Sequence, residues 1–261
     1  MHPVRPPAVA GLFYPADAEA LRTLVTDLLQ RVPVTGTAPK AVIVPHAGYV
    51  YSGPIAASAY ARLQLLRGQI TRVLLLGPAH RVAFHGLAAS SAAAFRTPLG
   101  DVPLDTAAAT ALAQLPQVHT RDDAHALEHS LEVQLPFLQM VLDRFLLVPL
   151  VVGDASYAEV AAVLELLWGG PETLIVISSD LSHYHDYATA QRLDRATSAA
   201  IEALAPEHID DGDACGRTPV GGLLQAARAR GLHARTIDVR NSGDTAGPRD
   251  RVVGYGAYAI G

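Results

Sequence analysis

The 261-residue sequence predicts an α/β fold, with helices packed around a central sheet that is mostly parallel and partly mixed. Three observations lead there. Apolar runs without alternation, at residues 41–44, 73–76 and 174–177, read as strands buried on both faces. Segments with helical spacing separate these runs, as strand–helix alternation around a parallel sheet requires. Each run also leads into a histidine: His46, His80 or His183. Polar groups just past the carboxyl ends of such strands gather at one rim, where open α/β sheets bind ligands.

Taken in order, a Pro-rich entry precedes a helix over residues 17–31, with Leu21, Leu24, Val25, Leu28 and Leu29 on one face. A Pro/Thr/Gly connector over 33–39 leads into the first strand. The turn Pro45-His46-Ala47-Gly48-Tyr49-Val50-Tyr51-Ser52-Gly53 then opens a helix over about 54–66. Strand 72–76 gives way to Gly77-Pro78-Ala79-His80. A strand over 86–90 and helices over 105–115 and 130–142 follow. Strand 145–152, helix 157–168 and strand 173–177 form a second αβ run. A long helix over 187–204 precedes an acidic loop, after which Thr218 reads as an N-cap with Pro219 at the first helical position of a helix to about 230. Strands near 234–239 and 252–260 close the chain without a helix between them, so part of the sheet is expected to be antiparallel. Residues 241–251 read as a surface loop. With no Ser/Gly-rich linker and no internal repeat, one domain over 1–261 is expected.

Composition narrows the function classes. Half the residues are apolar and 17% are charged, which suits a sizeable core. A net charge of −5, with no basic run interleaved with aromatics, argues against a nucleic-acid surface. No stretch approaches the roughly 20 apolar residues of a membrane span, so no membrane partner is expected. Met1-His2-Pro3-Val4-Arg5-Pro6-Pro7 lacks the layout of a signal peptide. A single cysteine, Cys215, points to a reducing cytoplasm.

The chemistry-bearing residues are few. His46, His80 and His183 have similar positions relative to their strands, and Asp180 precedes His183 by three. Each alone reads as a hydrogen-bonded loop residue; three together point to a metal or acid–base site. Cys215 sits just before a predicted helix whose dipole favours thiolate, although a lone cysteine also reads as a small inert side chain. Asp180 could equally cap the next turn. Glu128-His129-Ser130-Leu131-Glu132 offers acid–base or supporting groups, but the two glutamates, four apart, also read as a solvated face. Tyr49 and Tyr51 flank His46 as pocket or packing residues. His2, His119, His125, His185, His208 and His233 have no such setting and read as surface residues.

Six ordered motifs resemble those of the Memo family, the B component of the AmmeMemoRadiSam group. They are Ala8-Val9-Ala10-Gly11-Leu12-Phe13-Tyr14-Pro15, Val44-Pro45-His46-Ala47-Gly48-Tyr49, Leu76-Gly77-Pro78-Ala79-His80, Glu128-His129-Ser130-Leu131-Glu132-Val133-Gln134-Leu135-Pro136, Ser178-Ser179-Asp180-Leu181-Ser182-His183-Tyr184 and Cys215-Gly216-Arg217-Thr218-Pro219-Val220-Gly221. The resemblance implies a three-layer αβα sandwich similar to class III extradiol dioxygenases, which hold non-haem Fe(II). It implies metal binding at positions matching His46, His80 and Cys215, with Asp180 and His183 lining the same pocket. The dioxygenases use a carboxylate where this chain has Cys215, and thiolate shifts preference toward zinc or copper.

The leading expectation is therefore a non-haem iron redox protein acting on a small molecule, with His183 as acid–base group, Asp180 orienting a ligand and His129 supporting the site. A zinc hydrolase or lyase, a metal-free thiol enzyme built on Cys215, and a non-catalytic metal-handling or partner-binding protein are the alternatives. The resemblance also implies AMMECR-type and radical-SAM protein partners. Eukaryotic relatives are linked to motility signalling and phosphopeptide-type recognition, but the sequence shows no arginine cluster suited to phosphate.

Overall fold

The computed structural model describes residues 3–34 and 37–261. The N-terminal reading at Met1 and His2, and Thr35 and Gly36 of the connector, lie outside the described residues. In chain order the elements are β1 (Val4–Arg5), α1 (Ala18–Gln30), β2 (Ala41–Val44), α2 (Tyr49–Leu63), β3 (Arg72–Pro78), β4 (Leu87–Ala89), β5 (Ala94–Thr97) and β6 (Gly100–Pro103). Then come α3 (Thr106–Leu112), β7 (Val118–Thr120), α4 (Asp122–Ala126), α5 (Leu135–Val141), β8 (Leu146–Val152), α6 (Tyr157–Leu167) and β9 (Thr173–Ser178). Last are β10 (His183–His185), α7 (Tyr187–Glu202), α8 (Arg217–Ala229), β11 (Ala234–Asn241) and β12 (Val252–Ile260).

The large sheet runs β10-β12-β2-β9-β3-β8-β4-β7, with β11 also paired to β12. Its centre, β2-β9-β3-β8, is parallel throughout, while β12 is antiparallel to β2 and β4 to β8. Alternate residues of one strand enter different cores, which is why the apolar runs do not alternate. Val42, Val44, Val73 and Leu75 pack with α1, α2 and α5 on one face. Ala41, Ile43, Leu74 and Leu76 pack with α3, α6, α7 and α8 on the other. The result is a three-layer αβα sandwich around a mostly parallel, partly mixed sheet. A separate three-stranded sheet, β1-β5-β6, lies outside it.

Local chemistry sets the helix starts. Asp17 and Asp186 cap α1 and α7 by accepting from the backbone N–H of Ala20 and Thr189, and Ser156 with Glu159 forms a capping box on α6. Several expected boundaries move. The helix expected at 54–66 begins at Tyr49, with Pro54 inside it. The proline has no N–H to offer the carbonyl of Val50, four residues earlier, and it is tolerated in the second turn of a helix whose start is exposed at Val50. Thr218 is not an N-cap: α8 starts at Arg217 behind Gly216, and Pro219 falls in the first turn, where its missing N–H costs nothing. The helix expected at 130–142 opens as a 3₁₀ turn over Glu132–Gln134 before α5, because the polar side chains of Ser130 and Glu132 are buried and bonded elsewhere. Strands β1, β5, β6, β7 and β10 and helix α4, each two to five residues long, were not expected; they are too short to establish a period.

Candidate metal centre

β2 and β3 are parallel and flank β9, so their carboxyl ends open on one rim. His46 follows β2 and His80 follows β3, each by two residues; Ser179 and Asp180 follow β9 directly. Cys215 arrives from the other direction, on the loop before α8. That loop touches β9 at Gly216, whose N–H donates to Ser179 Oγ at 2.9 Å. A Cβ at residue 216 would lie 2.6 Å from Ser179 Cβ and 2.7 Å from the Ser178 carbonyl oxygen, so only glycine permits the approach. The approach puts Cys215 Sγ 3.2 Å from His46 Nε2. One donor atom from each of His46, His80 and Cys215 then lies within 4.8 Å of the other two.

Surrounding hydrogen bonds choose the tautomers. Ser178 Oγ donates to the Ser130 carbonyl (2.6 Å) and accepts from Gln134 Nε2 (2.8 Å). Its one proton being committed, Ser178 Oγ can only accept from His46 Nδ1 at 2.9 Å. His46 therefore carries its proton on Nδ1 and turns the Nε2 lone pair toward Cys215. Burial, with His80 and His129 nearby, holds its pKa well below the usual histidine value, so the ring is neutral. His80 Nδ1 donates to Glu128 Oε1 at 2.9 Å, leaving Nε2 as its free donor atom. An acceptor behind each ring is the arrangement that aims a metal-ligating imidazole.

Glu128 is buried, which alone would raise its pKa; bonds from the His80 ring, the His80 N–H and the Ser130 N–H instead hold it at about 2. His80, Glu128 and His129 also form a compact set of donor atoms. The carboxylate is already saturated by the His80 ring and the N–H groups of His80, His129 and Ser130, so this second set suits support better than ligation. His129 stacks on His80 with centroids 4.7 Å apart and packs edge-on to His46 at 5.5 Å. Its Nδ1 is buried without a hydrogen bond, 3.3 Å from Glu128 Oε1, and burial lowers its pKa to about 4.

Asp180 caps no helix. Its Oδ1 accepts the His46 N–H at 2.7 Å, fixing the turn that carries the histidine, and burial pushes its pKa up to about 7. The Asp180 N–H in turn points at Cys215 Sγ, 3.3 Å away. Burial and the charge of Asp180 push the Cys215 thiol up, so the pull of the α8 dipole toward thiolate is outweighed by desolvation. His183, on β10, is half-buried and lowered by burial. A cavity of about 1100 Å³ joins these groups; His46, His80, His129, Asp180, His183 and Cys215 all line it.

The chain matches the family described as "Memo-like protein" across residues 5–259. It belongs to the Memo-like family. It is 38% identical to a MEMO1 family protein of Aquifex aeolicus, with 97% of each chain covered. It is also 38% identical to one of Aeropyrum pernix, over 98% of this chain and 99% of the relative. Among solved structures it is similar to the uncharacterized protein JW3007 from Escherichia coli K12, with a TM-score of 0.54 and 14% identity over 85% of this chain and 99% of the other. At that identity the likeness concerns the fold alone.

This Memo-like chain gathers into one cavity the six residues its sequence assigned to metal binding or catalysis, but their surroundings correct several expectations. Glu128 and Glu132 are buried, not a solvated face. Glu132 ties down the N-terminal segment, accepting from Arg5, the N–H groups of Ala8 and Val9, and Tyr14. His125 is buried, not at the surface, and its Nε2 bonds the Ala88 carbonyl at 2.9 Å. Tyr49 is a packing residue whose hydroxyl donates to Val133, whereas Tyr51 lines the cavity. The orienting residues Ser178, Ser130 and Gln134 were missed. They lie inside quoted motifs, but only the fold shows what they face. Arg81, Arg217 and Arg251, scattered in the sequence, also line the cavity.

Proposed function

We propose that the chain binds one transition-metal ion between His46, His80 and Cys215 and acts on a small molecule in the adjoining cavity, as a non-haem iron redox protein. The carrying observation is the convergence of two correctly oriented imidazoles and one sulfur within 4.8 Å. Three protein donors leave coordination positions open, as in catalytic rather than structural sites. A bound ion would supply Lewis-acid chemistry and, as Fe(II) or copper, redox chemistry. Ser178 and Glu128 hold the two imidazoles in their ligating tautomers. Asp180 positions His46 and, with a pKa of about 7, can hold or release a proton at neutral pH. His183 is neutral at pH 7 and suited to accept a proton at the cavity wall, and His129 supports His80. Cys215 must lose its proton to ligate, so metal affinity rises with pH.

The cysteine favours a second reading, a zinc hydrolase or lyase with Asp180 as general base, because thiolate with two imidazoles is a recognised catalytic zinc set. Copper suits the same soft donor set. A metal-free thiol nucleophile is disfavoured by the raised pKa of Cys215. The AMMECR-type and radical-SAM partners rest on the family resemblance alone.

Anaerobic reconstitution, metal analysis and electron paramagnetic resonance with nitric oxide test the proposal. About one iron per chain and an iron–nitrosyl signal, both lost in His46→Ala and Cys215→Ser, are expected. Stoichiometric zinc without iron uptake would move the function to hydrolysis, and undiminished metal in both variants would reject the ligand set.

A further inference from the structure

The candidate metal centre has a second approach. A separate cavity of about 530 Å³ adjoins the larger one, and the loop after β3 divides them. His80 and Arg81 of that loop line the larger cavity, whereas Ala79, Val82, Phe84 and His85 line the smaller. Cys215 and Thr218 line both. Of the three proposed ligands, the sulfur is therefore the one reached from either side.

The two openings differ in charge. Arg81, Arg217 and Arg251 line the larger cavity, and its carboxylates are engaged: Asp211 pairs with Arg217, and Asp180 accepts the His46 N–H. Arg81 and Arg251 have no ion-pair partner among the described residues. A cation arriving there meets like charge. No arginine or lysine lines the smaller cavity, whose one carboxylate is Asp154. Arg121 packs over the Phe84 ring, 5.5 Å from its centroid, but Asp123 pairs with it.

Asp154 and His85 stand at the smaller mouth, with side chains 80% and 92% exposed. The backbone sets their places: the Gly86 N–H donates to the Asp154 carbonyl and the Asp154 N–H to the Phe84 carbonyl, both at 2.8 Å. Gly153 lets the two loops lie this close, since a Cβ there would be 2.3 Å from the Phe84 carbonyl oxygen. His85 Nδ1 is 2.9 Å from Asp154 Oδ2. An ionised carboxylate only accepts, so neutral His85 holds its proton on Nδ1 and offers Nε2 to a cation.

We propose that this smaller cavity is the path by which a divalent transition-metal ion reaches and leaves the centre, captured first by His85 and Asp154 and passed to Cys215. Imidazole, carboxylate and thiolate are all ligands for such ions. A negative group at a concave mouth raises the local concentration and the on-rate of a cation. Ion and small-molecule substrate then use different openings, and neither blocks the other. The inference rests on the proposed ligand set of His46, His80 and Cys215.

Stopped-flow binding of Co²⁺ to metal-free protein tests the route, followed by the thiolate–cobalt charge-transfer band of Cys215. Dissociation is measured with a chelator and Kd by equilibrium titration. A residue on the path changes both rates by one factor and leaves Kd unchanged, whereas a lost ligand or a folding defect changes Kd. Asp154→Asn should slow association and dissociation alike by about tenfold, the low end of what electrostatic steering supplies. Ala83→Trp, which narrows the smaller mouth at an exposed position, should do the same. Leu12→Trp, at an exposed position of the larger mouth, and Arg251→Gln should leave both rates as in the parent. Unchanged rates in Asp154→Asn and Ala83→Trp, with cobalt bound at Cys215, overturn the route and leave the ligand set standing. Slower entry in Leu12→Trp, or a weakened Kd in Asp154→Asn at an unchanged association rate, also overturns it. No cobalt–thiolate band in the parent protein rejects the ligand set and the route together.

Discussion

At the scale of residues, the protein uses buried polar groups to hold histidines in defined states. His125 shows this away from the metal centre. Its Nε2 bonds the Ala88 carbonyl, its Nδ1 is buried without a partner, and burial lowers its pKa to about 4. Unfolded, it would titrate near 6.5. Because the folded value is depressed, this contribution is fully present above about pH 6.5 and is lost as pH falls toward about 4, where the unfolded chain binds the extra proton. His125→Gln should therefore flatten urea midpoint against pH over that window, by up to about one proton; parallel curves for variant and parent would refute the assignment. Glu128 is the corresponding residue at the site. Glu128→Gln keeps the shape but loses the ionised acceptor behind His80, and supporting carboxylates of this kind are worth roughly 10–100-fold in metal affinity. Competition against a chelator should show that loss with secondary structure intact, and unchanged affinity would count against His80 as ligand.

Elements set the position of what residues hold. β2, β9 and β3 deliver His46, Asp180 and His80 to one rim because they are adjacent and parallel. α8 delivers Cys215 only because Gly216 lets its start touch β9. Gly216→Ala should push that start outward, lowering stability by about 1–3 kcal/mol as overpacking does, and weakening metal binding more than a remote change of equal cost. Asp186→Ala supplies that comparison, since loss of the α7 cap costs about 1 kcal/mol without touching the cavity. Denaturant midpoints and metal affinity measured on both variants should separate; if they fall together, Gly216 has no special relation to Cys215.

Across the whole molecule, the three proposed ligands lie far apart in sequence and meet only in the folded chain. An ion bound there stabilises the native state alone, by about 2.7 kcal/mol when free metal is at 100 times Kd. Chelation should lower the melting temperature accordingly, and His46→Ala should be insensitive to the chelator. A melting temperature indifferent to chelation in the parent protein would mean that no ion bridges these elements.

The sequence by itself determined the layered α/β fold, since runs such as 41–44 and 174–177 are apolar at every position only if both faces are covered. It also singled out the histidines, Asp180 and Cys215 that line the cavity, because their strands or motifs mark them locally. Tertiary structure alone decided what those residues face. Nothing local distinguishes His125 from an exposed histidine, Glu132 from a solvated one, or Ser178 as the group that orients His46. Burial and the direction of a hydrogen bond depend on strands and loops distant in the chain. Patterns of a few residues reveal periodicity and chemistry, but long-range packing creates the dielectric and the partners that set protonation and charge.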